Sequence, residues 1–350
     1  MDPAGINART AEVAEAHRFD EASLAAFMAA NLDDYPGNLV VRQFQGGASN
    51  PTFLLIATGG GEQRLYVLRK KPPGVLLKSA HQVDREHRIM HALADTNVPV
   101  PRMRALCTDP SVIGTDFYIM DYLDGRIITD PSLAMMTPAD RAKAYADFGS
   151  TLAKLHTVDP AAVGLADLAP PGDYVERQLA RFTKQYRAAE DQRIAAMEAL
   201  IESLPQRAPG GRRVGIVHGD YKMGNVMFHP TEPRLVGVLD WELCTIGDPL
   251  ADLAFSALSW RGTGVGGAGT DMTLEGIPTE AEYLAAYCQA TGREGIEGWN
   301  FYLAFSLFRL ASIMQGVYQR TLAGTVASNF AAVNQAPAMA ERALQILNEA

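Results

Sequence analysis

From Leu39 to Leu68 the chain alternates short apolar runs with glycine clusters. Val40-Val41-Arg42-Gln43-Phe44 leads into Gly46-Gly47-Ala48-Ser49-Asn50, and Thr52-Phe53-Leu54-Leu55-Ile56 follows. Gly59-Gly60-Gly61 then interrupts before Leu65-Tyr66-Val67-Leu68. Short apolar and β-branched runs bounded by glycine read as strands, and this order predicts an antiparallel meander. Ahead of it, residues 1–20 read as a poorly ordered lead and Glu21–Leu32 as a short amphipathic helix. Behind it, Val83, His87, Met90 and Leu93 recur at helical spacing and predict a helix over His81–Ala94, which Pro99 and Pro101 end. Two strands are expected at Met103–Cys107 and Phe117–Tyr122.

After Gly125 the period changes. Helical patterns cover Pro138–His156, Tyr174–Tyr186 and Arg193–Leu204, and helices resume from Pro249. Between them Val214–Asp240 reads as a mixture of loops and strands. The expectation is therefore an α+β chain: a small β-rich N-terminal lobe with one main helix, residues 1–122, and a larger helical lobe, residues 123–350.

Bulk properties exclude several classes. The net charge of -9 argues against broad binding to nucleic acid, because that binding is driven by neutralising phosphates. The three cysteines, Cys107, Cys244 and Cys288, are too widely spaced for a zinc set and odd in number, which points to a reducing compartment. The polar N-terminus is unlike a signal peptide. The most apolar stretch, Phe301–Phe308, stops at Arg309, short of the roughly 20 residues a membrane helix needs. A cytoplasmic protein without a membrane or nucleic-acid partner is expected.

The chemistry concentrates in two segments, Val217-His218-Gly219-Asp220-Tyr221-Lys222-Met223-Gly224-Asn225 and Leu235-Val236-Gly237-Val238-Leu239-Asp240-Trp241-Glu242. In each, an apolar run meets an acidic residue at a turn. Phosphoryl transfer to a hydroxyl needs a carboxylate to accept the proton and oxygen ligands for magnesium. The kinase catalytic loop places an Asn five positions after the base, and a later Asp holds metal. Asp220, Asn225 and Asp240 reproduce that order. Singly, each has a plain structural reading as a turn, a cap and a strand end; together and in order they point to catalysis.

The pattern HGD-x4-N, then VLDWE, then Gly247-Asp248-Pro249-Leu250-Ala251-Asp252-Leu253-Ala254, resembles the aminoglycoside phosphotransferase family over about residues 40–320. That resemblance implies a protein-kinase-like two-lobed fold, ATP and Mg2+ as cofactors, Asp220 as catalytic base, and Asn225 and Asp240 as metal ligands. His218 is expected to brace the loop, and Asp248 and Asp252 to anchor the helix that follows. The glycine-rich turn, with Gly46, Gly47, Ser49 and Asn50, is expected to cover the ATP phosphates. A cation on the third strand should pair with Glu86; Arg69 falls where the family usually has Lys, with Lys70 as the neighbour on the opposite face. The backbone of Asp121 and Leu123 is expected to hold adenine.

The acceptor is read from what the C-terminal helices lack. No acidic residue occurs between Gly298 and Ala340, whereas Arg309, Arg320 and many apolar or aromatic residues do. A polycationic antibiotic would call for carboxylates there. Tyr66-Val67-Leu68-Arg69-Lys70-Lys71-Pro72-Pro73-Gly74 and Tyr302-Leu303-Ala304-Phe305-Ser306-Leu307-Phe308-Arg309 resemble the phosphotransferase domains associated with acyl-CoA dehydrogenases. That subgroup implies a hydroxyacyl-CoA as the small-molecule hydroxyl substrate, and a functional link to an acyl-CoA dehydrogenase. The alternatives are an aminoglycoside or other small-alcohol kinase, and a catalytically inactive nucleotide-binding relative. A protein kinase is disfavoured, because DWE replaces DFG and no APE-terminated activation segment follows.

Overall fold

The computed structural model describes residues 9–45, 50–72, 82–211, 213–262, 270–324 and 333–349. The chain forms two compact units, residues 1–125 with 236–242, and residues 126–235 with 243–350.

The first unit is built on a six-stranded antiparallel sheet. Its members are β1 (Thr10–Ala11), β2 (Asn38–Phe44), β3 (Thr52–Gly59), β4 (Glu62–Lys70), β5 (Met103–Cys107) and β6 (Phe117–Asp121), in the order β1-β2-β3-β4-β6-β5. The expected lead is not wholly irregular. Thr10 and Ala11 pair with Phe44 and Gln43, and Arg42 donates to the Thr10 hydroxyl at 2.8 Å, so the edge of β2 finds main-chain partners there.

Period-two alternation decides what each face of this sheet meets. Phe53, Leu55 and Ala57 of β3, with Tyr66 and Leu68 of β4, share one buried cluster with Leu24 and Met28 of helix α1 (Glu21–Asn31). Asp20 caps α1, accepting from the amides of Ala22 and Ser23. Lys70 shares the face of Tyr66 and Leu68, and Arg69 takes the opposite one. Helix α2 (Val83–Leu93) carries buried Val83, Glu86, Ile89, Met90 and Leu93 along one stripe. Val238 donates its amide to Pro99 at 2.8 Å, which ties residues 236–242 into this unit.

A four-residue helix, α3 (Pro110–Ile113), ends the first unit's helices. In the second unit α4 (Pro138–Thr157), α5 (Tyr174–Ala188) and α6 (Ala195–Arg207) come first. Strands β7 (Gly215–Val217) and β8 (Val226–Phe228) follow, β9 (Leu235–Val238) leads into the first unit's excursion, and β10 (Thr245–Gly247) returns to pair antiparallel with β7. Helices α7 (Leu250–Ala257), α8 (Glu280–Thr291), α9 (Trp299–Leu322) and α10 (Ala336–Asn348) complete the unit. Helix α9 is buried nearly all round, including Phe301, Tyr302, Phe305 and Phe308, which makes it the central rod of the helical core. Among the described residues no helix is long and apolar enough to cross a membrane.

Candidate active site

In the second unit the segment after β7 turns sharply. Gly219 adopts φ +86, and a Cβ there would lie 2.7 Å from the Leu243 carbonyl oxygen, so both the conformation and the space call for glycine. The turn is held from beneath by Asp252, a wholly buried carboxylate on α7. It accepts the amides of His218 at 2.5 Å and Gly219 at 2.8 Å, and its Oδ2 lies 3.3 Å from His156 Nε2. Burial works to raise this carboxyl, yet His156, His218 and the Gly219 amide together hold it below the ordinary range. Asp248 accepts from Tyr302 at 2.6 Å and from the Leu250 amide, so it anchors the start of α7. The buried guanidinium of Arg309 donates to the Gly219 carbonyl at 2.9 Å and lies over the rings of Phe182, Phe255 and Phe305. That placement makes Arg309 a brace of the turn, not a surface group.

Asp220 emerges from this braced turn. Its Oδ2 accepts from Asn225 Nδ2 at 2.7 Å and from Lys222 Nζ at 2.8 Å. Asn225 also donates to the Asp220 main-chain carbonyl at 2.8 Å. With its amide end committed to Asp220, Asn225 has its carboxamide oxygen as the remaining donor atom for a hard cation. His218 is fully buried and receives the Asp220 amide on Nδ1 at 3.2 Å. Beside Asp220 opens a cavity of about 570 Å³ with walls from α4, α7, α9 and α10. Asp220 is the one carboxylate and Lys222 the one cation among the described residues that line it.

In the first unit Arg69 and Glu86 form an ion pair at 3.0 Å, and Arg69 Nη2 donates to Asp240 Oδ1 at 3.1 Å. Asn50 Nδ2 donates to Glu86 Oε1 at 2.9 Å, and the Tyr118 hydroxyl donates to Oε2 at 3.0 Å. The strand register explains the arrangement: Arg69 lies opposite Tyr118, so both side chains rise on the face that meets α2. Lys70, on the other face, packs over the rings of Phe19 and Phe53, and burial pushes its ammonium pKa down. Glu86 is pushed up to about 7, chiefly by burial, against the pull of Arg69 and the Tyr118 hydroxyl. Asp240 sits at φ +64, in the left-handed region that a residue with a Cβ seldom adopts.

Of the expected site residues, Asn50, Arg69, Glu86 and Asp240 come together in the first unit, and Asp220 and Asn225 in the second. Asp121 donates its amide to the Arg102 carbonyl at 2.9 Å, and its carboxylate receives Arg104. Leu123 follows β6 in a part-buried loop. Gly46, Gly47 and Ser49 lie outside the described residues. Sequence reading missed Tyr118, the partner of Glu86, and His156, the partner of Asp252. The signal for Tyr118 lies in strand pairing, which single-strand periodicity does not carry. Among the described residues no three His, Cys, Asp or Glu side chains cluster to hold a metal. Asn225 in the second unit and Asp240 in the first each carry a hard side-chain oxygen of the kind magnesium takes.

Comparison with known proteins places these features. The family described as APH, phosphotransferase enzyme family, matches residues 40–305. Mouse acyl-CoA dehydrogenase family member 10 is 46% identical over 297 residues, which cover 83% of this chain but 27% of that protein. Human acyl-CoA dehydrogenase family member 11 is 41% identical over 347 residues, 96% of this chain and 44% of that protein. The chain thus spans less than half the length of these curated relatives. A Ralstonia eutropha crystal structure, provisionally named an aminoglycoside phosphotransferase, is 45% identical with a TM-score of 0.84, covering 94% of this chain and 98% of that one. Solved aminoglycoside phosphotransferases and a choline kinase share the kinase-like fold at 13 to 14% identity.

Proposed function

This chain belongs to the APH phosphotransferase enzyme family, a family of small-molecule kinases, and from that premise we propose that it transfers the γ-phosphoryl group of ATP to a hydroxyl of an acyl-CoA. The observation that carries the chemistry is the Asp220 carboxylate, fixed through Oδ2 by Asn225 and Lys222 at the edge of a cavity. Oδ1 is then the atom that accepts the acceptor's hydroxyl proton. The hydroxyl oxygen bonds to the γ-phosphorus, the bond to the β–γ bridging oxygen breaks, and ADP leaves.

Asn225 and Asp240 would hold magnesium, whose charge offsets that of the phosphates when it is bound. Arg69, fixed by Glu86, presents a permanent forked cation to the phosphates, and the Asp121 carbonyl with the Leu123 backbone receives adenine. The sequence segment with Gly46, Gly47, Ser49 and Asn50 is the one we assign to the phosphates, and Asn50 also holds Glu86. The acyl-CoA acceptor is supported by the cavity's shortage of carboxylates and by relatives that bear acyl-CoA dehydrogenase names. In such a pairing the phosphorylated acyl-CoA is passed to an acyl-CoA dehydrogenase partner.

The test is Mg-ATP consumption with purified protein and a panel of hydroxyacyl-CoAs, free hydroxy acids, aminoglycosides and sugars, with products identified by mass. Turnover on a hydroxyacyl-CoA supports the proposal. Turnover confined to an aminoglycoside or a sugar keeps the kinase and discards the acyl-CoA acceptor.

A further inference from the structure

We infer that the cavity beside Asp220 is a chain-measuring pocket: it takes a flexible apolar chain attached to the reacting hydroxyl, and Met314 and Met339 set the chain length it accepts. The inference deepens the acceptor reading above and rests on Asp220 being the base.

The lining carries the argument. Phe148 from α4 and Phe255 from α7 supply rigid aromatic walls, and Met223 of the catalytic turn lies on the same cavity as Asp220. Met314 on α9 and Met339 on α10 contribute further wall. Methionine is unbranched and polarizable, so it adapts to a chain of variable shape where a branched side chain would impose one. The α10 side of the wall is fastened in place. Gln315, next to Met314 and fully buried, donates to Ala189 and Asp191 and accepts from Asn334 at 2.7 Å. Asn334 in turn receives the amide of Ala336, the first residue of α10, at 3.0 Å. The first turns of α10, which carry Met339, are thereby fixed to α9 beside Met314.

Among the described lining residues, charge disfavours the alternative occupant. A polycation entering this cavity would meet Lys222 and would find Asp220 as its one carboxylate, already receiving Lys222 and Asn225. An uncharged chain meets no such cost, and a buried methylene gains enough to strengthen binding about threefold to fourfold.

The experiment uses 1-alkanols of increasing length, titrated calorimetrically into the full chain with ADP and magnesium; these probes carry a hydroxyl and a chain but no CoA. Kd should fall about threefold to fourfold per methylene up to a limiting length. Met339→Ala should move that limit to longer chains and Met339→Trp to shorter ones, while replacing the terminal methyl by an ammonium group should abolish binding. Met314→Ala serves as the second variant should either Met339 change impair folding, read by the same shift. A Kd that does not depend on length, no alkanol binding, or variants that weaken all lengths equally would overturn the inference. Alkanol selectivity without turnover of any hydroxyacyl-CoA would instead overturn the acyl-CoA reading and leave the pocket assignment standing.

Discussion

Asn225 reaches back across the catalytic turn to Asp220, donating to its main-chain carbonyl at 2.8 Å and to its Oδ2 at 2.7 Å. The five-residue spacing therefore ties the proposed magnesium ligand to the carboxylate of the proposed base. Lys222 occupies the same oxygen, so the two carboxylate oxygens have different duties.

Asp220→Asn keeps the shape of this clamp and removes the proton acceptor. Turnover should fall by roughly 10²–10⁴, with ATP affinity within a factor of about two of the parent. Steady-state kcat and the ATP Kd, measured on one preparation, separate the two effects. Unchanged kcat would remove Asp220 from the role of base.

Arg69 spans two carboxylates with two different nitrogens, Nε toward Glu86 and Nη2 toward Asp240. Lysine carries its three donors on a single nitrogen and cannot reproduce this separated, planar fork, so Arg69→Lys is not a conservative change here. The KM for ATP should rise roughly tenfold, since the pairing that positions the phosphate-facing cation is halved. ATP kinetics in the Lys variant that match the parent would confine Arg69 to a structural role.

Much of this was legible in the sequence, and the reasons differ by element. The meander of β2, β3 and β4 announced itself because glycine clusters bound each apolar run. The choice between Arg69 and Lys70 reduced to a period-two question, and it needed the buried partners on each face to say which one meets Glu86. β1 escaped because two residues carry no period; what defines it is pairing with Phe44 and Gln43. Asp252 was read as a helix anchor, yet it receives the His218 and Gly219 amides from 34 and 33 residues upstream, a contact that helical periodicity does not encode. Arg309 stands in the sequence as a cation in an apolar helix, and its burial among three rings with its bond to the Gly219 carbonyl makes it a brace of the turn.

Asp252→Ala should expose how much the catalytic turn depends on that carboxylate. Removing it strands the amides of His218 and Gly219 in a buried site, and each unsatisfied group costs about 1–3 kcal/mol. Urea denaturation should show a loss of roughly 2–5 kcal/mol, and kcat should fall in the fraction that still folds. A variant as stable as the parent would mean that water replaces the carboxylate.

Glu86 predicts a pH dependence whose sign is opposite to that of most carboxylates. Its pKa lies near 7 in the folded chain against an ordinary 4.5, because burial outweighs Arg69 and Tyr118. Between those values the folded chain keeps a proton that the unfolded chain has lost. Stability therefore falls as pH rises from about 4.5 to 7 and levels off above. The swing is on the order of 3 kcal/mol for a shift of this size. Glu86→Gln removes the titration while keeping the bonds to Asn50 and Tyr118 approachable, so the variant should gain on the parent between pH 5 and pH 8. Urea midpoints for both proteins at the two pH values make the comparison, and other titrating groups cancel in the difference. Parallel behaviour of the two proteins would mean that Glu86 stays ionised across the range, with the Arg69 charge outweighing its burial.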